Sequence, residues 1–488
     1  MIKKVFSFII ALVLSVIVMP SVNNKTINAK AVEDKLVIYS WEDYIDLGYT
    51  EEDLEDGLSE SLTSRFTDEQ LLQSVLDIFT EETGIEVEYC TFATNEEMYN
   101  ELKKNPYGAD IVCPSEYMIL KMLKEDMLTS FETPENWEKY GSPYIKEKFE
   151  SLGLANGNNL YACGYMWGTM GYIYNTEYAS ASELSSWASL LNGKFNKVAT
   201  IKDSIRDTYI MAVGAVYEEE LKALDKTASD YNEKLTKIFN RTDTETVEKV
   251  EEYLKQLKNN IYGFEVDSGK NDMIDGKIQV NFAWSGDAVY VIDEAELQGK
   301  EFGYVVPLEG SNVWFDGFVM PKNADVEKAT EFINFVSKPS IAIRNMEYIG
   351  YTSCISGAED ELMDIMAYAI ENSDEDGEYE LDLSYFFGKA CILKTATEYG
   401  SLATKFPDIE VVNRCAVMDN FSDKDLAVIN EMWNRVKFIT LPSWLIYAIV
   451  AVAVLIVVGV LFVKFKDKIF FMSKKRKRWK VISRKEIR

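Results

Sequence analysis

The chain of 488 residues carries 80 Asp and Glu against 51 Lys and Arg, a net charge of −29, and is long enough for two or three domains. Such acidity argues against a nucleic-acid partner, whose phosphates would be repelled. There is no histidine, which excludes Ser-His-Asp and Cys-His catalysis and removes the commonest transition-metal ligand.

In chain order, Lys3, Lys4, the apolar run Val5 to Met19 and Ala29-Lys30-Ala31 predict a signal peptide over 1–31. A β-rich run, Leu36 to Tyr39, leads directly into Trp41-Glu42-Asp43-Tyr44. An acidic insertion, 45–66, follows; of a lid and a surface loop, the loop is the simpler reading. Thr67-Asp68-Glu69-Gln70 is a capping box for a helix from Leu71 to Phe79, with Gly84 placed to end it. Ile85 to Tyr89 reads as a strand, Thr94 opens another helix, and the strand Ala109 to Cys113 ends at Pro114-Ser115-Glu116-Tyr117. Further on, Lys197 to Ile201, Ile278 to Trp284 and Gly303 to Pro307 read as strands, and Thr244 to Lys258 and Asp325 to Val336 as helices. The alternation predicts an α/β fold with a largely parallel sheet, and ligands of such sheets bind beyond the carboxyl ends of the strands. The acidic stretch Asn372 to Asp382 reads as a solvated loop.

The C-terminal end changes character. Trp444 to Val463 is uncharged and about 20 residues long, enough to cross a bilayer as a helix. The tail 464–488 holds 12 basic and 2 acidic residues, a charge of +10 that leaves −39 for the rest. This predicts a transmembrane helix at 441–463, an extracellular ectodomain and a basic cytoplasmic tail. The six cysteines form no Cys-x-x-Cys pair; one or two disulfides fit the even count, and buried free thiols are the simpler reading.

Four strings set an aromatic ring beside a carboxylate: Trp41 to Tyr44, Ser115 to Tyr117, Trp284-Ser285-Gly286-Asp287 and Trp314-Phe315-Asp316. Each follows a strand candidate. Aromatic faces attract an organic cation while carboxylates hydrogen-bond its ammonium groups, so strings that converge in space would bind an amine. The competing reading for each Trp is the core, and for Asp287 and Asp316 a salt bridge to Lys or Arg. Asp207 follows Arg206, an ion pair in the making, and Asp43 reads equally as a rim charge.

In this order, with Glu82-Thr83-Gly84-Ile85-Glu86-Val87, Met320-Pro321 and Ile349-Gly350-Tyr351, the strings resemble the spermidine/putrescine-binding proteins of polyamine ABC importers, from about Leu36 to Val436. The resemblance implies a two-lobed periplasmic-binding-protein fold of type II, its discontinuous lobes joined by a hinge. On that pattern lobe 1 takes 32–163 and returns at 316–360, and lobe 2 takes 164–315 and 361–440. It implies that Trp41, Tyr44, Ser115 and Tyr117 line one jaw, that Trp284, Trp314 and Tyr351 complete an aromatic box, and that Asp316 and Asp207 bind ammonium groups. Ser204 stands where spermidine-type members place a second acid, whereas Asp287 and Asp43 match acids of putrescine-type members, which turns the expectation toward a diamine. The resemblance implies no enzyme, cofactor or metal; the partners it implies are a polyamine, permease subunits and their ATPase. Two other readings are a cation sensor that uses the same cleft without transport and, less favoured, a hydrolase working through Asp287 and Asp316.

Overall fold

The computed structural model describes residues 35–357, 365–438 and 455–456. The expected signal peptide and basic tail lie outside the described residues, as does the expected membrane span apart from Leu455 and Ile456. No helix among the described residues is long and apolar enough to cross a membrane.

Eight strands form the spine of the main sheet. They are β1 (Leu36–Trp41), β2 (Val87–Phe92), β3 (Ile111–Val112), β4 (Ala162–Asn175), β5 (Ala199–Lys202), β6 (Gly263–Glu265), β7 (Val280–Trp284) and β8 (Ser311–Pro321). Their order is β6-β5-β7-β4-β8-β3-β1-β2. At one end β2, β1 and β3 run parallel, and at the other β6, β5 and β7 do the same. Between them the two longest strands, β4 and β8, pair antiparallel from Val313↔Thr169 to Val319↔Ala162.

The expectation of a largely parallel sheet therefore holds for each half and fails at the centre. Antiparallel pairing there lets one continuous pair of strands serve both halves. The expected lobe boundaries, 163/164 and 315/316, fall inside β4 and β8. A second difference concerns the C-terminal return, expected in lobe 2 from 361. Ile365–Glu371 instead packs on the first half, with the Tyr368 hydroxyl on Glu347 (2.6 Å), and Ser142 of that half bonds the Phe386 carbonyl. Only later does the chain join the second half, where Asp423–Lys437 lies along Thr244–Asn260 and Arg435 pairs with Glu251.

Local chemistry explains the smaller departures. The helix expected from Thr67 is two helices, Asp68–Leu72 and Val75–Thr83, because Ser74 and Asp77 form a second capping box. The fully buried Arg344 guanidinium takes the carbonyls of Gln70, Leu71 and Gln73 at the break. Arg344 also pairs with Asp46, equally buried, at the root of the acidic insertion. The insertion is thus not a free loop. It holds two short helices, Glu51–Asp56 and Glu60–Thr63, and is tied down by Arg65 on Glu371. The expected loop Asn372 to Asp382 ends in a strand, Tyr379–Asp382, paired with Ile392–Thr395 around the buried Leu381. None of the six cysteines is joined in a disulfide.

Candidate functional site

β8 passes through the centre of the sheet, and its register slips between Asp316 and Gly317. Such a bulge re-aims a side chain. Here it sits beside an isolated bridge from Asp316 to Ser115, the residue that opens helix α1 (Glu116–Lys124). The Asp316 carboxylate is buried. Its Oδ2 accepts the Tyr44 hydroxyl at 2.6 Å, while its Oδ1 has no hydrogen-bond partner among the described residues. No Lys or Arg lies within ion-pair distance among them. Burial pushes the Asp316 pKa up to about 6; the Tyr44 hydroxyl and the nearby Ser115 hydroxyl oppose the rise, and the charge of Asp207 adds to it.

Tyr44 is positioned by the turn after β1. Asp43 carries φ 50 there, a left-handed conformation that swings the following ring inward. Tyr44 is buried, and its carbonyl accepts the Tyr165 hydroxyl at 2.9 Å. Asp43 itself is exposed, outside the buried cluster, and Trp41 is half-buried against Phe92, with ring centroids 4.6 Å apart. Asn95 ties Ser115 to Tyr117, donating to both hydroxyls at 3.2 and 3.0 Å.

From the other half, Asp207 lies in the first turn of α2 (Ile205–Val216), behind its cap Ser204. Burial lifts its pKa to about 6, against the Ser204 hydroxyl, Arg206 and Lys202, which favour the charge. Trp284 ends β7, and Asp287 falls in the first turn of α3 (Ser285–Leu297). Asp287 is not a free acid: its Oδ2 takes the Lys202 ammonium at 2.8 Å and its Oδ1 the Tyr351 hydroxyl at 3.0 Å. The ion pair that competed with the ligand reading of Asp287 is thus present. For Asp207 the competing partner, Arg206, instead lies over the Tyr117 and Phe421 rings, 4.6 and 3.7 Å from their centroids.

Three rings join the two poles. Tyr351 stands edge-on to Tyr44 at 5.6 Å and to Trp314 at 5.4 Å. A Cβ on Gly286 would lie 1.0 Å from the Tyr351 ring, and one on Gly168 would lie 2.6 Å from the Trp314 ring. Both glycines are therefore seats for aromatic rings. Surface cavities of about 260 Å³ beside Tyr174 and Tyr399 and about 400 Å³ beside Tyr231 and Arg414 lie outside this cluster.

The structure thus brings Tyr44, Asp316, Tyr351, Asp287 and Trp314 into one contact chain, with Ser115 and Asp207 beside it. Trp284 joins through Lys202, Tyr117 is covered by Arg206, and Trp41 and Asp43 stay at the rim. Sequence reasoning passed over Glu116, although it lies inside one of the strings. Glu116 is fully buried, accepts the Phe315 N–H at 3.1 Å, and is pushed up to about 8 by burial, with the Asp316 and Asp207 charges adding. Three buried acids within electrostatic reach of one another, walled by rings, suit a cation.

The model of the bacterial extracellular solute-binding protein family matches residues 74–369. The spermidine/putrescine-binding periplasmic protein of Salmonella typhimurium is 30% identical over 281 residues, 57% of this chain and 72% of that one. The putrescine-binding periplasmic protein PotF of Escherichia coli is 26% identical over 291 residues, 57% of this chain and 74% of that one. Among solved structures, the spermidine/putrescine ABC transporter substrate-binding protein PotD from Streptococcus pneumoniae superposes with a TM-score of 0.55 at 27% identity, covering 83% of this chain and 98% of the other. The two halves are thus the lobes of a type II binding-protein fold, and the family is one of binding proteins rather than enzymes. The chain belongs to the bacterial extracellular solute-binding protein family.

Proposed function

We propose that the chain captures a polyamine, putrescine or spermidine, between its lobes and hands it to an ABC permease with its ATPase. The observation that carries this reading is Asp316: a buried carboxylate with one free oxygen, no cationic partner among the described residues, and a wall of Tyr44, Tyr351 and Trp314. An ammonium group at that oxygen would restore the charge balance, and the rings would flank the methylenes. Putrescine's four methylenes contribute about 3 kcal/mol at roughly 0.8 per CH₂, and each charge-assisted hydrogen bond about 1.5–3 kcal/mol. After ordering costs, micromolar affinity is within reach.

The names of the relatives support a polyamine, and the apolar span at 441–463 with its basic flank supports a tether beside the permease. Calorimetric titration of residues 32–440 with putrescine and spermidine tests the ligand. Saturable heat is expected, and its absence with every polyamine would remove the reading.

A further inference from the structure

Lys202 closes β5 and is fully buried. Its ammonium lies 2.8 Å from Asp287 Oδ2 and 3.1 Å from Glu265 Oε1, and it donates to the Val266 carbonyl at 2.9 Å. It also stands over the Trp284 ring, 4.5 Å from the centroid. A lysine has three N–H donors, and three acceptors surround this one. Two carboxylates, a carbonyl and an aromatic face are the setting that a cationic ligand would require, and here the chain's own side chain fills it. The remaining oxygen of Asp287 is engaged by Tyr351 at 3.0 Å, with the Lys270 ammonium 3.9 Å away. Asp316, by contrast, keeps an oxygen free.

We infer that Lys202 is a specificity-determining residue: its ammonium pre-empts the Trp284–Asp287 subsite, so the cleft takes a short amine and gains nothing from a further cationic group. The inference rests on the polyamine reading. A ligand ammonium arriving at Asp287 would have to displace Lys202, leaving a fully buried cation with one carboxylate, Glu265, in place of two, a loss that offsets the new charge-assisted bond. The pole left open is Asp316, with Asp207 and Glu116 close enough to feel its charge.

The test compares the affinities of the full chain for n-butylamine, putrescine and spermidine with those of K202M and K202M/D287N. In the natural chain spermidine should bind no more than about threefold tighter than putrescine, and in K202M at least about tenfold tighter, because Asp287 is released for the extra ammonium. K202M/D287N should lose that gain, which a purely structural role for Lys202 would not produce. A tenfold preference for spermidine in the natural chain, or an unchanged ratio in K202M, overturns the assignment of Lys202 and leaves the polyamine reading intact. The natural-chain ratio decides alone where K202M does not fold. Failure of the natural chain to bind any amine removes both.

Discussion

The Tyr44 hydroxyl meets Asp316 Oδ2 at 2.6 Å across 272 residues of sequence. One partner follows the turn after the first strand of the first lobe, and the other sits at the bulge of the second crossing strand. Together they place a hydrogen-bonded carboxylate where the lobes meet. Removing the hydroxyl should therefore be felt more by the charged than by the neutral acid. Tyr44→Phe is expected to destabilise the ligand-free protein by about 1–3 kcal/mol at pH 8, where Asp316 is ionised, and by less at pH 5. Urea denaturation at the two pH values checks this; an equal loss at both would assign Tyr44 to packing alone.

Burial raises Asp316 and Asp207 from 3.8 to about 6 and Glu116 from 4.5 to about 8. In the window between each ordinary value and the raised one, the folded state binds more protons than the unfolded state, so stability falls as pH rises. This contribution is complete below about pH 4, and is lost through about pH 6 for the two aspartates and through about pH 8 for Glu116. The melting temperature of the ligand-free protein should decline between pH 5 and 9, and Glu116→Gln should flatten the upper part of that decline. A rising profile in that window would contradict the assignment.

Cation binding runs the other way, because an ammonium group requires the ionised acids. Below about pH 6 polyamine affinity should weaken, and binding near pH 6 should release roughly one proton in total from Asp316 and Asp207. Calorimetry in buffers of different ionisation enthalpy counts the protons. Proton uptake would be the wrong sign.

Gly286 lies under the Tyr351 ring, where a Cβ would be 1.0 Å from a ring carbon. Gly286→Ala should displace Tyr351, break its bond to Asp287, take one ring from the wall of the Asp316 pole and lower polyamine affinity about two- to thirtyfold, the worth of one cation–π contact at about 0.5–2 kcal/mol. Because alanine favours a helix interior, the fold should survive. Unchanged affinity with an intact fold would place Tyr351 outside the binding site.

The Asp46–Arg344 pair is completely buried and holds the acidic insertion and the helix break at Gln73. Arg344→Ala should cost about 3–5 kcal/mol, since it leaves Asp46 buried without its cation. Equilibrium denaturation reads this directly, and a loss under about 1 kcal/mol would mean that the insertion is held by other contacts.

What was legible in the sequence follows from the range of each interaction. The ends of β1 and β7 could be read because a short apolar run passes straight into an aromatic and an acid, at Trp41 and Trp284. Local chemistry carried the Thr67 capping box and the stop at Gly84, where φ is 73. The bulge at Asp316 was not legible, because it depends on pairing with β4, whose register no local pattern encodes. Nor was Lys202, which meets Asp287 across 85 residues and looks in sequence like an ordinary strand-end charge. Glu116 was visible inside its string, but only the fold shows that it is buried with Asp316 and Asp207 nearby.

The central claim is that Asp316 is the open anionic pole of a polyamine site, and calorimetric titration of the natural protein and Asp316→Asn with putrescine and spermidine tests it most directly. Saturable binding by the natural protein, weakened at least about tenfold in Asp316→Asn, is the predicted result. No heat with any polyamine, alongside clear binding of a neutral sugar or an amino acid, would contradict it.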